Sequence, residues 1–320
     1  MKIAVLDDYA NVSQSLADWS TIKDAEVTVF DSTLTNLDEL KSRLEPFDVI
    51  CLMRERTPFG APLIDCLPNL KLLVTSGPRN LSIDLTAATQ HNITVCGTES
   101  RKTTTSELAT LLMLALSRGL IPETQSLQTN GWQSGLGRDL HGLDLGLIGL
   151  GKIGAQMATI GRAFGMNIHA WSSNLDQTHC DNLGVQYHSN LNSLMGASDV
   201  VSVHLVLSER TTHLVDSAAF AAMRDRAIFI NTSRGPIADE SALLAGLNAG
   251  KPWMAGIDVF SEEPLPMNHP LRDASLIHSG RLLLSPHLGY ATEQTFRVFY
   301  TQTVEAINAW VDGNPIRQLN

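Results

Sequence analysis

Short apolar runs alternate along the chain with amphipathic segments, and this alternation sets the first expectation. Runs at 2–6, 26–30, 48–52, 70–75 and 93–95 are rich in Val, Ile, Leu and Thr and read as strands. Between them, 37–44 and 83–89 carry apolar residues at helical spacing. Strands and helices in alternation predict a parallel sheet flanked by helices, here an open, flavodoxin-like α/β domain. A second series follows, with strands expected at 145–148, 167–171, 200–204, 227–231, 254–257 and 282–285. Helices fall between them, for example at 153–164 and 239–248, and 292–311 reads as a terminal helix long enough to return to the first domain.

The connection between the two series has its own pattern. Residues 103–117 form one long, mostly apolar helix pattern, with Glu107 three places after Thr104 at the spacing of a capping box. So apolar a helix is expected to be buried, between domains or between subunits. The stretch 122–142, with Gly131, Gly135 and Gly137, reads as an extended arm. The fold class expected is therefore α/β, with two open doubly wound parallel-sheet domains. Residues 1–98 with 291–320 make a flavodoxin-like domain, and 99–290 make a Rossmann dinucleotide-binding domain.

Composition narrows the partners. The chain has 320 residues and a net charge of -10, with Lys and Arg scattered. A nucleic-acid binder shows a basic face or stripe, so nucleic acid is not an expected partner. No apolar run approaches the ~20 residues of a membrane span, and 1–6 lead straight into Asp7-Asp8 without a signal-peptide core. A cytoplasmic location and no membrane partner are expected. Cys51, Cys66, Cys96 and Cys180 form no CxxC and read as reduced thiols. The ten histidines show no metal-ligand spacing, so no metal is expected.

The strand pattern at 145–148 runs into Gly149-Leu150-Gly151-Lys152-Ile153-Gly154, which opens a helix. In that setting G-x-G-x-x-G is a phosphate cradle. The first glycine permits the turn, the second admits the pyrophosphate to the backbone, and the third lets helix and strand pack. The helix start, with Lys152 and Ile153, offers N–H groups and partial positive charge. An acidic residue about 20 positions on ordinarily takes the adenine ribose. Here Ser172, Ser173 and Asn174 follow the next strand, with neither a carboxylate nor a cation. They can hydrogen-bond a ribose hydroxyl or a 2′-phosphate, so NAD or NADP remains open; a plain polar turn is the competing reading.

Three later segments follow predicted strands. Thr232, Ser233 and Arg234 follow 227–231, Asp258 to Glu263 follow 254–257, and His287 follows 282–285. In an open α/β sheet ligands bind at the carboxyl ends of strands. An arginine, a carboxylate and a histidine can thus converge on one rim. Taken singly, each reads first as a surface cation, a solvated acid or a satisfied core imidazole.

Together the stretches GLGKIG (149–154), NTSRGPIADE (231–240), GIDVFSEEP (256–264) and SPHLG (285–289) resemble the D-isomer-specific 2-hydroxyacid dehydrogenases, of glyoxylate/hydroxypyruvate reductase type. Ser76-Gly77 with Ile83-Asp84 resembles the substrate loop of that family, and Thr105-Ser106-Glu107 its linker helix. The resemblance implies hydride transfer between NAD(P)H and a small 2-keto or 2-hydroxy acid, in a homodimer. It implies Arg234 on the substrate carboxylate and keto oxygen, His287 as acid/base, and Glu263 as its partner. Backbone amides near Ser76 and Gly77, with Arg54 nearby, would take the substrate carboxylate. Val206, Thr232, Asp258 and Thr105 join the glycine turn on the cofactor side. The Glu263 partner favours a hydroxyacid enzyme over a formate dehydrogenase, whose histidine resembles one paired with glutamine. His204-Leu205-Val206 departs from the family in lacking a proline at the third place. Arg54 and Arg56 are the only basic cluster expected near the substrate, which disfavours a phosphorylated one. The competing class is a non-catalytic dinucleotide sensor, like the co-repressors that resemble this family.

Overall fold

A computed structural model describes residues 1–101 and 103–320. The chain divides into two compact units, Met1–Arg101 with Ala291–Asn320, and Lys102–Tyr290.

The first unit is built on five strands: β1 (Lys2–Val5), β2 (Glu26–Val29), β3 (Val49–Leu52), β4 (Leu72–Thr75) and β5 (Thr94–Gly97). Their order is β2-β1-β3-β4-β5, with every pair parallel. Strands β3 and β4, VICL and LLVT, are buried along their whole length. That is why they read as continuous apolar runs rather than as alternation. Asn36 and Asp84 cap the helices Leu37–Leu44 and Leu85–Gln90 with side-chain oxygens. The helix Glu293–Val311 closes this unit; Thr292 caps it, and Phe299, Tyr300, Val304 and Ile307 are buried.

The second unit carries seven strands: β6 (Asp144–Ile148), β7 (Asn167–Trp171), β8 (Gln186–Tyr187), β9 (Val200–Val203), β10 (Ile228–Asn231), β11 (Met254–Ile257) and β12 (Leu282–Leu284). They lie in the order β12-β11-β10-β9-β6-β7-β8, again all parallel. The chain builds outward from β6 to β8, then returns to place β9 on the other side of β6. The β6/β9 border is therefore the topological switch point, where such sheets leave a crevice at the carboxyl ends. All six expected strands of this unit are present within one or two residues. The two-residue β8 is too short to leave a pattern and was not expected.

Two local expectations need correction. The long helix runs Thr104–Arg118, but no capping box forms: Thr103 has helical torsions, and its hydroxyl caps nothing. The Thr104 hydroxyl is buried without a hydrogen-bond partner among the described residues. The buried face of this helix packs on the sheet of its own unit. A Cβ at Gly256 on β11 would lie 3.2 Å from both Leu112 Cβ and Leu116 Cδ1. The arm is also partly helical. Gly119, at φ +60°, ends the long helix, and a second helix runs Leu120–Gln128. Only the residues after it are irregular, tied back by the Glu123 carboxylate, which accepts the Ser134 N–H and hydroxyl.

Candidate active site

A parallel sheet puts every carboxyl end on one edge. In the second unit that edge carries, in spatial order, His287 after β12, Glu263 after β11, Arg234 after β10, His204 to Val206 after β9, the glycine turn after β6 and Ser172 to Asn174 after β7. The expected constellation is thus assembled by strand direction.

The three glycines of the turn do different things. Gly149 has φ +101°, and a Cβ there would lie 2.7 Å from the His204 carbonyl oxygen. A Cβ at Gly154 would overlap the Gly149 carbonyl oxygen. A Cβ at Gly151 would meet nothing within 4 Å. Gly151 therefore keeps space clear in front of the helix Lys152–Ala163, whose first-turn N–H groups receive no side-chain cap. Uncapped N–H groups and the helix dipole suit a pyrophosphate. The Gly149 N–H donates to the Trp171 carbonyl at 2.8 Å, which fixes the end of β7 beside the turn. Ser172 follows half-buried, with Ser173 and Asn174 exposed. The nearest acid, Asp176, caps the helix Gln177–Asn182 by accepting the His179 N–H.

Orphaned polar atoms also mark this rim. The Thr232 hydroxyl and both ring nitrogens of His204 are buried without hydrogen-bond partners among the described residues. Burial pushes the His204 pKa down to about 4, so this imidazole is neutral. The open cradle and these unsatisfied atoms fit a dinucleotide. Val206 is exposed, and its carbonyl accepts from the Thr211 hydroxyl. Thr105 donates from its hydroxyl to the Gly289 carbonyl at 3.2 Å, so it also supports the loop after β12.

The catalytic candidates sit on loops clasped together by backbone contacts. The Asn231 side chain donates to the Arg234 carbonyl and accepts the Ser233 N–H, folding the turn that presents Arg234. The Ser233 hydroxyl donates to the Leu205 carbonyl, joining this turn to the loop after β9. Next to Arg234, Gly235 lies so close to Phe260 that a Cβ would overlap the Phe260 carbonyl group. Glu240 Oε1 accepts the Ser261 N–H at 2.7 Å, and Glu263 Oε1 accepts the Phe260 N–H at 2.9 Å. Glu263 Oε2 lies 2.7 Å from His287 Nδ1, both side chains being mostly buried. The Tyr290 ring stands edge-on to the imidazole, 5.3 Å between centroids.

His287 itself has φ +54°, a left-handed conformation that costs a non-glycine residue. Asp258 holds it there. The His287 N–H donates to the Asp258 carbonyl at 2.8 Å. The Asp258 carboxylate accepts the Ser285 hydroxyl at 2.6 Å, the Leu288 N–H at 2.7 Å and the Gly289 N–H at 2.9 Å. Burial raises the Asp258 pKa, opposed by these donors and by His287 nearby. Beyond the cofactor-side place expected for Asp258, its carboxylate clamps the histidine loop.

The first unit gathers the substrate-loop candidates. Arg54, at φ +54°, donates its N–H to Ser76 Oγ at 2.8 Å and its guanidinium to the Ser76 carbonyl at 3.2 Å. Asn80 donates to the Arg54 carbonyl at 2.6 Å. The guanidinium lies against Gly77, where any Cβ would collide with it. The backbone amides expected to take a carboxylate are already engaged. Ser76 N–H donates to the Leu52 carbonyl, and Gly77 N–H to the Thr98 hydroxyl at 2.7 Å. Pro78 has no N–H. What this loop presents to an anion is guanidinium, from Arg54 and from the exposed Arg79, which sequence reasoning missed. Also missed were Asp258's clamp partner Ser285 and Glu240. Glu240 and Ser285 lie inside quoted motifs, but nothing in one dimension shows what they touch.

Among the described residues no cluster of three or more His, Cys, Asp or Glu could hold a metal ion, and no helix is long and apolar enough to cross a membrane.

Comparison with known proteins agrees with this geometry. Residues 110–289 match the model of the D-isomer specific 2-hydroxyacid dehydrogenase NAD binding domain. The chain is 35% identical to a hydroxypyruvate reductase of Thermotoga maritima over 273 residues, 84% of this chain and 87% of the relative. It is 32% identical over 279 residues to a D-3-phosphoglycerate dehydrogenase of Methanocaldococcus jannaschii, covering 86% of this chain but only 52% of that protein. The chain thus spans about half the length of some curated relatives it matches. The crystal structure of a phosphoglycerate oxidoreductase from Vibrio cholerae superposes with a TM-score of 0.91 at 34% identity, covering 98% of this chain and 99% of the other.

The glycine geometry yields a paired prediction. Gly154→Ala should lower the thermal midpoint by several degrees, on the order of 1–3 kcal/mol of overpacking, and weaken NADH binding with it. Gly151→Val should leave the midpoint within about 2 °C and still weaken NADH binding at least ~10-fold, since only the cradle is filled. Thermal melts with fluorescence titration of NADH check both. Tight binding by Gly151→Val would remove the turn from the phosphate site.

Proposed function

This chain belongs to the D-isomer specific 2-hydroxyacid dehydrogenase family, and on that premise we propose that it moves a hydride between NADH or NADPH and a small 2-keto acid. The substrate is of the glyoxylate or hydroxypyruvate type, and the product is the D-2-hydroxy acid, or the reverse. The observation that carries this reading is the 2.7 Å pairing of His287 with Glu263 on the same rim as the glycine turn.

The nicotinamide, when bound, supplies or accepts the hydride. The chain's own residues do the rest. Arg234 offers a planar fork that suits a carboxylate and the neighbouring keto oxygen. Glu263 engages His287 Nδ1, which leaves Nε2 to exchange the proton. In reduction Nε2 gives its proton to the carbonyl oxygen; in oxidation it takes the hydroxyl proton. The Glu263 contact fixes the orientation of the ring through the cycle. Asp258 keeps the imidazole in its strained position through either half of the cycle. Gly149, Gly151, Lys152, Ile153 and Gly154 hold the pyrophosphate, and Ser172, Ser173 and Asn174 hold the adenosine end. These three side chains can hydrogen-bond a ribose hydroxyl or a 2′-phosphate, so the dinucleotide is NAD or NADP. The second unit is the dinucleotide-binding domain and the first the substrate domain, where Arg54, held by Ser76 and packed against Gly77, offers its guanidinium to an anion.

A phosphorylated 2-keto acid is the second reading. It is favoured by Arg79, an exposed third cation beside the Arg54 loop, and by the names of the Methanocaldococcus and Vibrio relatives.

Self-association is part of the proposal. Leu111, Leu120, Leu127, Trp132 (75% exposed) and Leu136 (97% exposed) all fall in one stretch of the second unit. A run of exposed large apolar side chains of this kind marks an interaction surface, here for a second copy of the chain. Sedimentation at micromolar concentration should give twice 34.8 kDa, and Trp132→Asp with Leu136→Asp should shift it toward the single chain. A single chain in the native protein would remove the dimer.

A panel of 2-keto acids, 3-phosphohydroxypyruvate included, assayed against NADH and NADPH tests the activity. At least one unphosphorylated acid should be turned over. His287→Ala should lower kcat/KM by about 10³-fold or more while NADH affinity changes less than about twofold. Tight dinucleotide binding without turnover of any acid would favour the sensor class instead.

A further inference from the structure

Two histidines that the hydride chemistry does not use lie buried against each other in the second unit. His169 on β7 and His188 just after β8 are 6% and 8% exposed. His169 Nδ1 is 3.0 Å from His188 Nε2. At the outer ends, His169 Nε2 is 3.2 Å from Asp144 Oδ1, and His188 Nδ1 is 2.8 Å from the Ser193 hydroxyl. All four imidazole nitrogens are thus engaged in one relay from Asp144 to Ser193.

The geometry fixes how many protons this relay holds. One hydrogen bond joins the two rings, so one of the facing nitrogens carries a proton and the other does not. With both rings neutral, His169 donates from Nε2 to Asp144, His188 donates from Nε2 to His169, and Ser193 donates to His188 Nδ1. One added proton is absorbed without losing a contact. His169 then donates from both nitrogens, and His188 donates from Nδ1 to the Ser193 oxygen. A second added proton has no place, because two N–H groups on two cations would face each other at 3.0 Å.

The pair lies among one bound carboxylate and neutral or bound groups. From β6, Asp144 faces the pair; Arg224 binds it at 2.7 Å and also binds Asp199, which in turn binds Arg138. From the helix Leu191–Ala197 comes only the neutral Ser193 hydroxyl. The helix Lys152–Ala163 carries Arg162, whose guanidinium is taken up by the Leu183 and Gly184 carbonyls rather than by either ring. On β8 the neighbours are Gln186 and Tyr187. Burial, and then the charge of His169, hold His188 below the ordinary imidazole range. A group depressed in this way contributes its full stability above the ordinary value of ~6.5 and loses it as pH falls below.

The pair is also wired to the dinucleotide rim. The His188 N–H donates to the Ala170 carbonyl at 3.0 Å, and the next carbonyl, Trp171, accepts the Gly149 N–H. Ser172 follows directly. We propose that His169 and His188 form a one-proton device that ties dinucleotide affinity to pH. The pair is intact with no or one added proton, and with two it releases the carboxyl end of β7 and the residues Ser172 to Asn174. The inference rests on the dinucleotide reading of this unit.

ADP-ribose tests it on the full chain, because a probe without nicotinamide is blind to the protonation of His287. By calorimetry its Kd should rise at least about fivefold between about pH 7.5 and about pH 5 in the native protein. In His188→Gln, whose amide can donate to His169 Nδ1 but does not titrate, the rise should stay below about twofold. Equal pH dependence in the two proteins, or none in the native one, overturns the inference. Absence of ADP-ribose binding at both pH values overturns the dinucleotide reading as well. Nitrogen-15 histidine spectra of the native protein give a variant-free readout. A single proton shared by the two rings down to about pH 5.5 supports the device, and two independent titrations near the ordinary value of ~6.5 defeat it.

Discussion

Parallel strand direction is the constraint on which this molecule depends. Because all seven strands of the second unit run the same way, every loop that follows a strand opens on the same edge. Residues separated by as much as 138 positions, Gly149 and His287, thereby share a rim without any contact specifying the encounter. The reversal of strand order at β6 and β9 adds the crevice, and the glycine turn lies in it. Burial pays for the arrangement: β6, β9 and β10 are covered on both faces by helices, so their residues are apolar almost throughout.

Strand direction alone places loops only coarsely, and polar clamps supply the rest. The buried Asp258 carboxylate collects three donors from the loop after β12 and forces His287 into a left-handed conformation. Gly235 lets the Arg234 turn touch the Phe260 backbone, and Glu240 and Glu263 each take an N–H from that same segment. The Asp258 clamp satisfies a carboxylate that would otherwise be buried unpaired, so rigidity at the site and polar satisfaction there are one requirement. The first unit repeats the device on a smaller scale, with Arg54 in the left-handed region and Ser76 and Asn80 holding it there.

Much of this was readable in one dimension. Buried parallel strands write long apolar runs, so β3, β6, β9 and β10 stood out, and G-x-G-x-x-G after β6 marked the cradle. Arg234, Glu263 and His287 could be placed on one rim because each follows such a run. What could not be read depends on partners distant in sequence. Nothing in the motif around Asp258 shows that its carboxylate holds Ser285, Leu288 and Gly289, which lie 27, 30 and 31 positions on. The Ser76 and Gly77 amides looked available, but Leu52 and Thr98 take them. The capping box at Thr104 failed because its neighbour Thr103 adopts helical torsions, which spacing does not reveal. The His169–His188 pair left no trace either, since two histidines 19 positions apart form no motif.

The central claim is hydride transfer at the rim that carries His287. Its most direct test is isotopic. NADH deuterated at C4, in each stereochemical form, is incubated with the protein and glyoxylate or hydroxypyruvate. One of the two forms should deliver a single deuterium to C2 of the 2-hydroxy acid, and His287→Ala should abolish the delivery. Product without deuterium from either form, or transfer undiminished in His287→Ala, would contradict the account.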